Sequence, residues 1–196
     1  MNYHEIIQQE IDAISNIPVR RVEELVHWLS LRIGQRTRII TSGMGKAGQI
    51  AHTFATTLCS TGISSSFIHP SEAQHGDLGI IQPDDIIFVF SNSGKTDEII
   101  QLVDLIQNNL EYENLIVGIF GNSSHYFEVK CAETIQFGPV EEVCPLGLTP
   151  TTSTTCMSVI CDMIVAGLIE KRGFTKEQYS KLHHGGYLNL KARNIV

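Results

Sequence analysis

The fold is decided by the stretch DDIIFVFSNSGKTDEIIQLV, which spans Asp84–Val103. Its first half is a short apolar run, as expected for a strand buried on both faces. From about Thr96 the apolar residues recur at helical spacing. A buried strand that passes through a Ser-Gly turn into a helix is typical of a parallel α/β sheet.

The same alternation of strand and helix extends to both sides of this stretch. Apolar segments with strand character predict five strands, near Arg38–Thr41, Ser65–His69, Asp85–Phe90, Leu115–Phe120 and Thr134–Phe137. Helical patterns lie between and after them, at Lys46–Ser60, Thr96–Asn108, Tyr126–Cys131 and about Ser153–Lys171. We therefore predict one α/β domain over residues 1–196, with a five-stranded parallel sheet flanked by helices.

Residues 1–36 differ from the rest because they contain only helical patterns, and residues 37–196 form the α/β core and a C-terminal tail. Ile7, Ile11 and Ile14 share one helical face, and Pro18 separates them from a second helical pattern. These helices predict an N-terminal hairpin. The helix near Ser153–Lys171 is apolar almost all round, which favours burial against the sheet or in a homo-oligomer.

Composition limits the class of protein. The 196 residues carry a net charge of −7, with a pI near 5.6, which disfavours nucleic-acid and membrane-surface partners. Five cysteines without C-x-x-C spacing suit reduced thiols in the cytoplasm. The N-terminus lacks the pattern of a secretory signal, and no stretch approaches the ~20 apolar residues of a membrane span.

Two hydroxyl-rich turns are candidates for binding an anion. Ser91, Asn92, Ser93 and Thr96 surround a glycine before a helix, where free amides and the helix dipole favour a phosphate. The alternative is an ordinary helix cap at Thr96. A second run precedes the long apolar helix and supplies Thr151, Ser153 and Thr154. Its hydroxyls could instead satisfy local backbone groups.

A third turn, Thr41–Gly48, contributes Ser42 and Gly45 to the predicted phosphate site. It has G-x-G-x-x-G spacing, but Lys46 follows the second glycine, and the next strand does not end in the acidic residue that a dinucleotide site uses. All three turns follow parallel strands. They are therefore expected to meet at one crevice, where open α/β sheets bind ligands.

Five segments occur in a characteristic order: SGMGKAGQIA, HPSEAQHGDLG, SNSGKTDEI, EEVCPLGLTPTTSTT and HHGGYLNLKA. From about Thr41 to the C-terminus the chain closely resembles the arabinose-5-phosphate isomerases of the sugar isomerase (SIS) family. The resemblance implies a flavodoxin-like SIS fold, assembled as a tetramer with active sites at subunit contacts. It also implies reversible conversion of D-ribulose 5-phosphate into D-arabinose 5-phosphate, which feeds biosynthesis of Kdo for lipopolysaccharide or capsule.

The family's functional residues match Lys46, His75, Glu98, Glu142 and His183. The reaction moves a proton between C1 and C2 through an enediol. The resemblance makes Glu98 or Glu142 the carbon base, gives His75 or His183 the ring opening and hydroxyl proton transfer, and leaves Lys46 to offset negative charge. Their individual roles stay open at this point.

Three of these residues also have an ordinary explanation. Glu98 suits the first turn of any helix, His75 could be a surface residue, and either Glu142 or its neighbour Glu141 could be the solvated one. Lys46 opposes a helix dipole, which favours a function for it. The histidines lack the spacing of a structural zinc site, so we expect no required cofactor or metal, although zinc could bind as an inhibitor.

The sequence departs from the family pattern in three places. Lys95 replaces a common Glu beside the predicted phosphate turn, and His184 replaces a common Pro, so that His183 and His184 compete for one role. The sequence ends at Val196, where longer relatives continue into CBS domains. We expect a short form without CBS domains, in which any end-product control acts through the SIS domain.

Two other functions stay open. SIS domains also serve as non-catalytic sugar-phosphate sensors, usually with a DNA-binding helix-turn-helix, for which the acidic N-terminal segment is a poor fit. An isomerase could also act on another phosphosugar, such as a heptulose or hexulose phosphate. Pocket size separates these substrates, and the sequence does not give it.

Overall fold

Five parallel strands form the centre of the molecule in the computed structural model, which describes residues 2–110 and 114–193. In chain order they are β1 (Ile39–Gly43), β2 (Ser65–Phe67), β3 (Ile86–Ser91), β4 (Leu115–Phe120) and β5 (Glu133–Gln136). Each overlaps a strand predicted from the sequence, with ends shifted by at most two residues. The spatial order is β2-β1-β3-β4-β5, which confirms the flavodoxin-like sheet.

The described helices are α1 (Tyr3–Ser15), α2 (Val19–Arg32), α3 (Gly45–Ser60), α4 (Pro70–Ala73), α5 (Asp97–Asn109), α6 (His125–Lys130), α7 (Thr152–Arg172), α8 (Lys176–Leu182) and α9 (Gly186–Ala192). A 3₁₀ turn covers Asp77–Ile80. This turn, α4, α8 and α9 were not predicted from the sequence. All four are short, so they carry too few apolar repeats to show a helical period.

Strand β1 lies between β2 and β3. Ile39 pairs with Ser65 of β2 on one side and with Ile86 of β3 on the other. After β1 the chain adds β2 on one side of the sheet, and after β3 it adds β4 and β5 on the other side. The strand order therefore reverses between β1 and β3. Ligands bind at such a switch point, outside the carboxyl ends of the strands.

The sheet separates two apolar layers because neighbouring side chains of a strand point to opposite faces. Phe88 and Phe90 of β3 face the layer that contains α2, α3 and α7, whereas Ile87 and Val89 face the layer that contains α5 and Phe127. All six residues of β3 are buried. This double burial explains why the strand reads as a continuous apolar run.

The N-terminal hairpin is present, but α1 does not bury the face that its isoleucines form. Ile7 is 56% exposed and Ile11 is 48% exposed, and only Ile14 packs against the core. By contrast, α2 buries Val22, Leu25, Val26 and Leu29. Much of the apolar face of α1 is therefore open to solvent in a single copy of the chain.

Helix α7 is the exception to the expectation that the chain has no apolar stretch as long as a membrane span. By length and composition alone, this 21-residue helix could cross a membrane. Half of its apolar window is buried inside this fold, where it packs against α1, α2 and α3. A core helix passes the same test, so its apolar character is explained by packing.

Candidate functional site

A cavity of about 450 Å³ opens where β1 and β3 end, at the switch point of the sheet. Three segments line it: the start of α3, the turn after β3 and the start of α7. The lining residues are Met44, Gly45, Lys46, Ala47, Phe90, Ser91, Asn92, Ser93, Thr96, Pro150, Ser153, Thr154 and Met157. The convergence of the three turns predicted from the sequence is confirmed.

The turn after β3 forms a compact hydroxyl cluster. Ser91 Oγ lies 2.7 Å from Thr96 Oγ1 and 3.5 Å from Ser93 Oγ. Ser91 Oγ also accepts a 3.1 Å hydrogen bond from the Gly94 amide. Thr96 is the N-cap residue of α5, yet its side chain makes no capping hydrogen bond. The Thr96 hydroxyl is therefore held towards Ser91 and does not serve as an ordinary cap.

The start of α7 is occupied by the carboxylate of Glu142. Ser153 Oγ donates to Glu142 Oε1 at 2.5 Å, and the amide and hydroxyl of Thr151 donate to Oε2 at 2.7 and 3.0 Å. Burial works to raise the pKa of Glu142, but these hydrogen bonds outweigh it and the net pKa is lowered. Glu142 thus acts as an ionised cap for α7.

The other hydroxyls at the start of α7 bond to groups of the protein itself. Thr154 Oγ1 and Thr155 Oγ1 both donate to the Thr151 carbonyl, at 2.8 and 3.1 Å, so these two satisfy local backbone. Thr152 is buried and donates to Glu10 of α1 at 3.1 Å. Thr151 does not line the cavity, and its amide and hydroxyl both donate to Glu142, so this part of the predicted phosphate site is corrected.

Ser42 also differs from its predicted role. It is fully buried, and its hydroxyl donates to the Ile68 carbonyl at 2.8 Å, so it joins two parts of the fold and does not line the cavity. A side chain at Gly48 would collide with the Gly43 carbonyl. The spacing that resembles a dinucleotide motif therefore serves the close packing of α3 on β1.

Three of the five candidate catalytic residues, Lys46, Glu98 and His75, lie beyond the carboxyl ends of the strands, and of these three Lys46 alone lines the cavity. Lys46 lines it, with Nζ 3.5 Å from Gln49 Oε1. Glu98 lies in the first turn of α5, two residues after Thr96. His75 is exposed just after α4, next to Gln74, whose side chain bonds Gln101 on α5 at 2.9 Å.

His183 lies elsewhere. It caps the C-terminus of α8, stacks on Tyr179 with ring centroids 3.8 Å apart, and follows Leu182, which packs beside Gly62. Gly62 comes just after the end of α3, and the 16 residues of α3 span about 24 Å from the cavity. Within one copy of the chain, His183 is therefore remote from the other four residues. The adjacent His184 belongs to the same distant end.

Two features of the site were not predicted from the sequence: an apolar wall of the cavity and the environment of Cys144. The cavity has an apolar side made by Met44, Phe90, Pro150 and Met157, whose only sequence signal is that they adjoin the hydroxyl turns. Cys144 lies in the loop between Glu142 and α7. Hydrogen bonds from the side chain and amide of Thr149, and from two further amides, lower the pKa of Cys144 to about 6.

All five cysteines are unpaired. Within residues 2–110 and 114–193, no group of three or more His, Cys, Asp and Glu side chains is arranged to hold a metal ion.

Comparison with known proteins gives consistent results. The chain is 37% identical over 191 residues to arabinose 5-phosphate isomerase KdsD of Pseudomonas aeruginosa, which covers 95% of this chain but 58% of that protein. A Bacteroides fragilis structure, provisionally ascribed to a phosphosugar isomerase involved in capsule formation, is 48% identical, with a TM-score of 0.89 and coverage of 94% of this chain and 97% of that one.

An Escherichia coli CFT073 protein in complex with arabinose 5-phosphate is 29% identical, with a TM-score of 0.81 over 94% of this chain and all of that one. The model of the SIS domain matches residues 33–166, a range that contains β1 to β5, the cavity and most of α7. The chain belongs to the SIS domain family.

Proposed function

We propose that the protein is an aldose–ketose isomerase that interconverts D-ribulose 5-phosphate and D-arabinose 5-phosphate. The observation that carries this proposal is the shared cavity, in which Ser91, Ser93, Thr96, Ser153 and Lys46 meet. Hydroxyls and a cation suit a phosphorylated sugar. The similarity to a named arabinose 5-phosphate isomerase and to a complex with arabinose 5-phosphate supports this choice of substrate.

The phosphate group is assigned to the turn after β3. The start of α7 already holds a carboxylate, Glu142, and a second anion there would be repelled. The first turn of α5 also carries two acids, Asp97 and Glu98, but the hydroxyls of the Ser91–Thr96 turn bond one another and two nearby amides, and no carboxylate of the described residues occupies them. The turn also stands at the N-terminus of α5, where the helix dipole favours an anion. Because the chain as a whole is acidic, this local attraction is what draws the substrate in.

Glu98 is our choice for the carbon base. Glu142 accepts four hydrogen bonds, which lower its pKa and make it a weaker base. In the described part of the chain, by contrast, the Glu98 carboxylate makes no hydrogen bond or ion pair. Glu98 removes the C2 proton of the aldose, which leaves an enediolate, and returns it to C1 to form the ketose. Lys46 stabilises the negative oxygen.

His75 and His183 remain the candidates for ring opening and for proton transfer between the hydroxyls. His183 requires a second copy of the chain, because it lies at the far end of α3 in its own copy. A homo-oligomer, expected to be a tetramer, would supply it. The exposed apolar residues of α1 are consistent with a subunit contact.

The remaining expectations stay proposals. The proposed proton transfers use side chains only and need no cofactor, and zinc is expected to act as an inhibitor. Unpaired cysteines fit a cytoplasmic location. The product is expected to feed Kdo biosynthesis for lipopolysaccharide or capsule.

A coupled assay with ribulose 5-phosphate tests the proposal, with Glu98→Gln and His183→Ala as variants. We expect turnover in the parent protein and a loss of at least about 100-fold in kcat for each variant. Tight binding of arabinose 5-phosphate without turnover would instead support a sugar-phosphate sensor. Faster turnover of a hexulose or heptulose phosphate would support a different isomerase.

A further inference from the structure

Helix α1 contacts the peptide segment on both sides of Glu142. Gln9 Nε2 donates to the Glu141 carbonyl at 3.0 Å. On the other side, the Val143 amide donates to Thr152 Oγ1 at 3.2 Å, and Thr152 in turn donates to Glu10 Oε1 at 3.1 Å. Two neighbouring side chains of α1 thus hold the residues before and after Glu142.

This arrangement reaches the cavity through Ser153. The Glu142 carboxylate accepts the Ser153 hydroxyl at 2.5 Å, and Ser153 lines the cavity. A shift of the 141–143 segment would therefore turn the Ser153 hydroxyl and move the first turn of α7. Thr152 and Ser153 are both fully buried, so these side chains have little room to compensate.

The Glu10 side chain has a feature that stability alone does not explain. Its second oxygen, Oε2, is buried and has no hydrogen-bond partner among the described residues. Such an oxygen costs free energy. Burial, together with the nearby charges of Glu10 and Glu142, raises the pKa of Cys156 to about 11, which places both carboxylates around the same buried thiol.

We propose that Glu10, assisted by Gln9, is a positioning residue that fixes the Glu142 segment and through it the Ser153 hydroxyl in the substrate cavity. Only the expected change in KM rests on the proposed function. The helical hairpin that precedes the SIS core would then be part of the site's support, although none of its residues lines the cavity.

The kinetic test compares Glu10→Ala, Glu10→Gln and Ser153→Ala. Glu10→Ala and Ser153→Ala should each raise KM for ribulose 5-phosphate roughly 10-fold with kcat nearly unchanged, because both weaken a binding contact. The double variant should be no worse than Ser153→Ala. Glu10→Gln retains an acceptor for Thr152 and should restore KM. Gln8→Ala is the control, because Gln8 is on the same helix and, among the described residues, its side chain bonds Asp12 alone.

Hydrogen exchange measured by mass spectrometry tests the positioning without relying on isomerase activity. Peptides covering residues 143–155 should exchange faster in Glu10→Ala than in the parent, since the Thr151 and Ser153 amides depend on Glu142. They should be unchanged in Gln8→Ala.

Unchanged exchange in a folded Glu10→Ala protein would overturn the proposal, and so would a lower melting temperature with unaltered KM. A Glu10→Gln protein as impaired as Glu10→Ala would also overturn it. If the parent protein has no turnover, the isomerase proposal fails, and the exchange experiment still decides the role of Glu10.

Discussion

Lys46 and His183 lie at opposite ends of α3, although the family pattern assigns both to one active site. Helix α3 is rigid and buried along one face, so the two residues cannot approach each other within one copy. A site that uses both residues, as we propose, would therefore join Lys46 of one copy with His183 of another. This relationship gives the most direct test of an intersubunit active site.

Mixed oligomers of Lys46→Ala and His183→Ala should regain activity, although we expect each variant alone to have lost most of it. Random mixing in a symmetric assembly leaves about a quarter of the sites with both residues intact. The measurement is turnover of ribulose 5-phosphate after co-expression of the two variants.

The matched control mixes Lys46→Ala with Glu98→Gln. Both residues stand at the same cavity edge of one copy, so no mixed site has both intact. Equal recovery in the two mixtures would contradict the arrangement.

The hydroxyl pair of Ser91 and Thr96, 2.7 Å apart, predicts how the phosphate is held. Thr96→Val keeps the shape but removes one hydroxyl, so we expect KM to rise roughly 10-fold with little change in kcat. Inhibition by inorganic phosphate should weaken in parallel. Ser123→Ala is the control, because Ser123 bonds Glu128 and does not line the cavity.

Glu142 predicts a dependence of stability on pH. The pKa of Glu142 is lowered below its ordinary value of 4.5 in the folded protein, so its contribution is present above that value and is lost as the pH falls below it. Glu142→Gln should therefore lower the melting temperature at neutral pH, and the difference from the parent should shrink below about pH 4. A constant difference down to acid pH would show that packing, not charge, accounts for the effect. Glu141→Gln, at the exposed neighbouring position, should have little effect at any pH.

Cys144 should be the most reactive thiol at neutral pH. Its pKa is lowered to about 6, whereas burial raises the pKa of Cys131 to about 12. Alkylation by iodoacetamide, followed by peptide mass spectrometry, should label Cys144 with a rate that rises through about pH 6. The rate at Cys131 should stay low across the same range. A Cys144 rate that rises only above about pH 8 would show that the Thr149 contacts do not form in solution.

The sequence predicted the site's hydroxyl turns because they are local features. Ser91 to Thr96 directly follow a buried strand, and the parallel order of the strands brings such turns to one edge. The sequence could not predict that Thr151 and Ser42 turn away from the cavity. Those outcomes depend on Glu142 and on the Ile68 carbonyl, which only the folded chain brings near.

What the sequence determined by itself was the succession of elements, since the apolar periods of β3 and α5 require a strand and a helix whatever surrounds them. It also determined which residue types stand at the turns. Tertiary structure alone decided that Glu142 caps α7, that Glu10 contacts Thr152, and that His183 is remote from Lys46. These are contacts between distant parts of the chain, and their geometry depends on how the helices pack, which residue spacing does not encode.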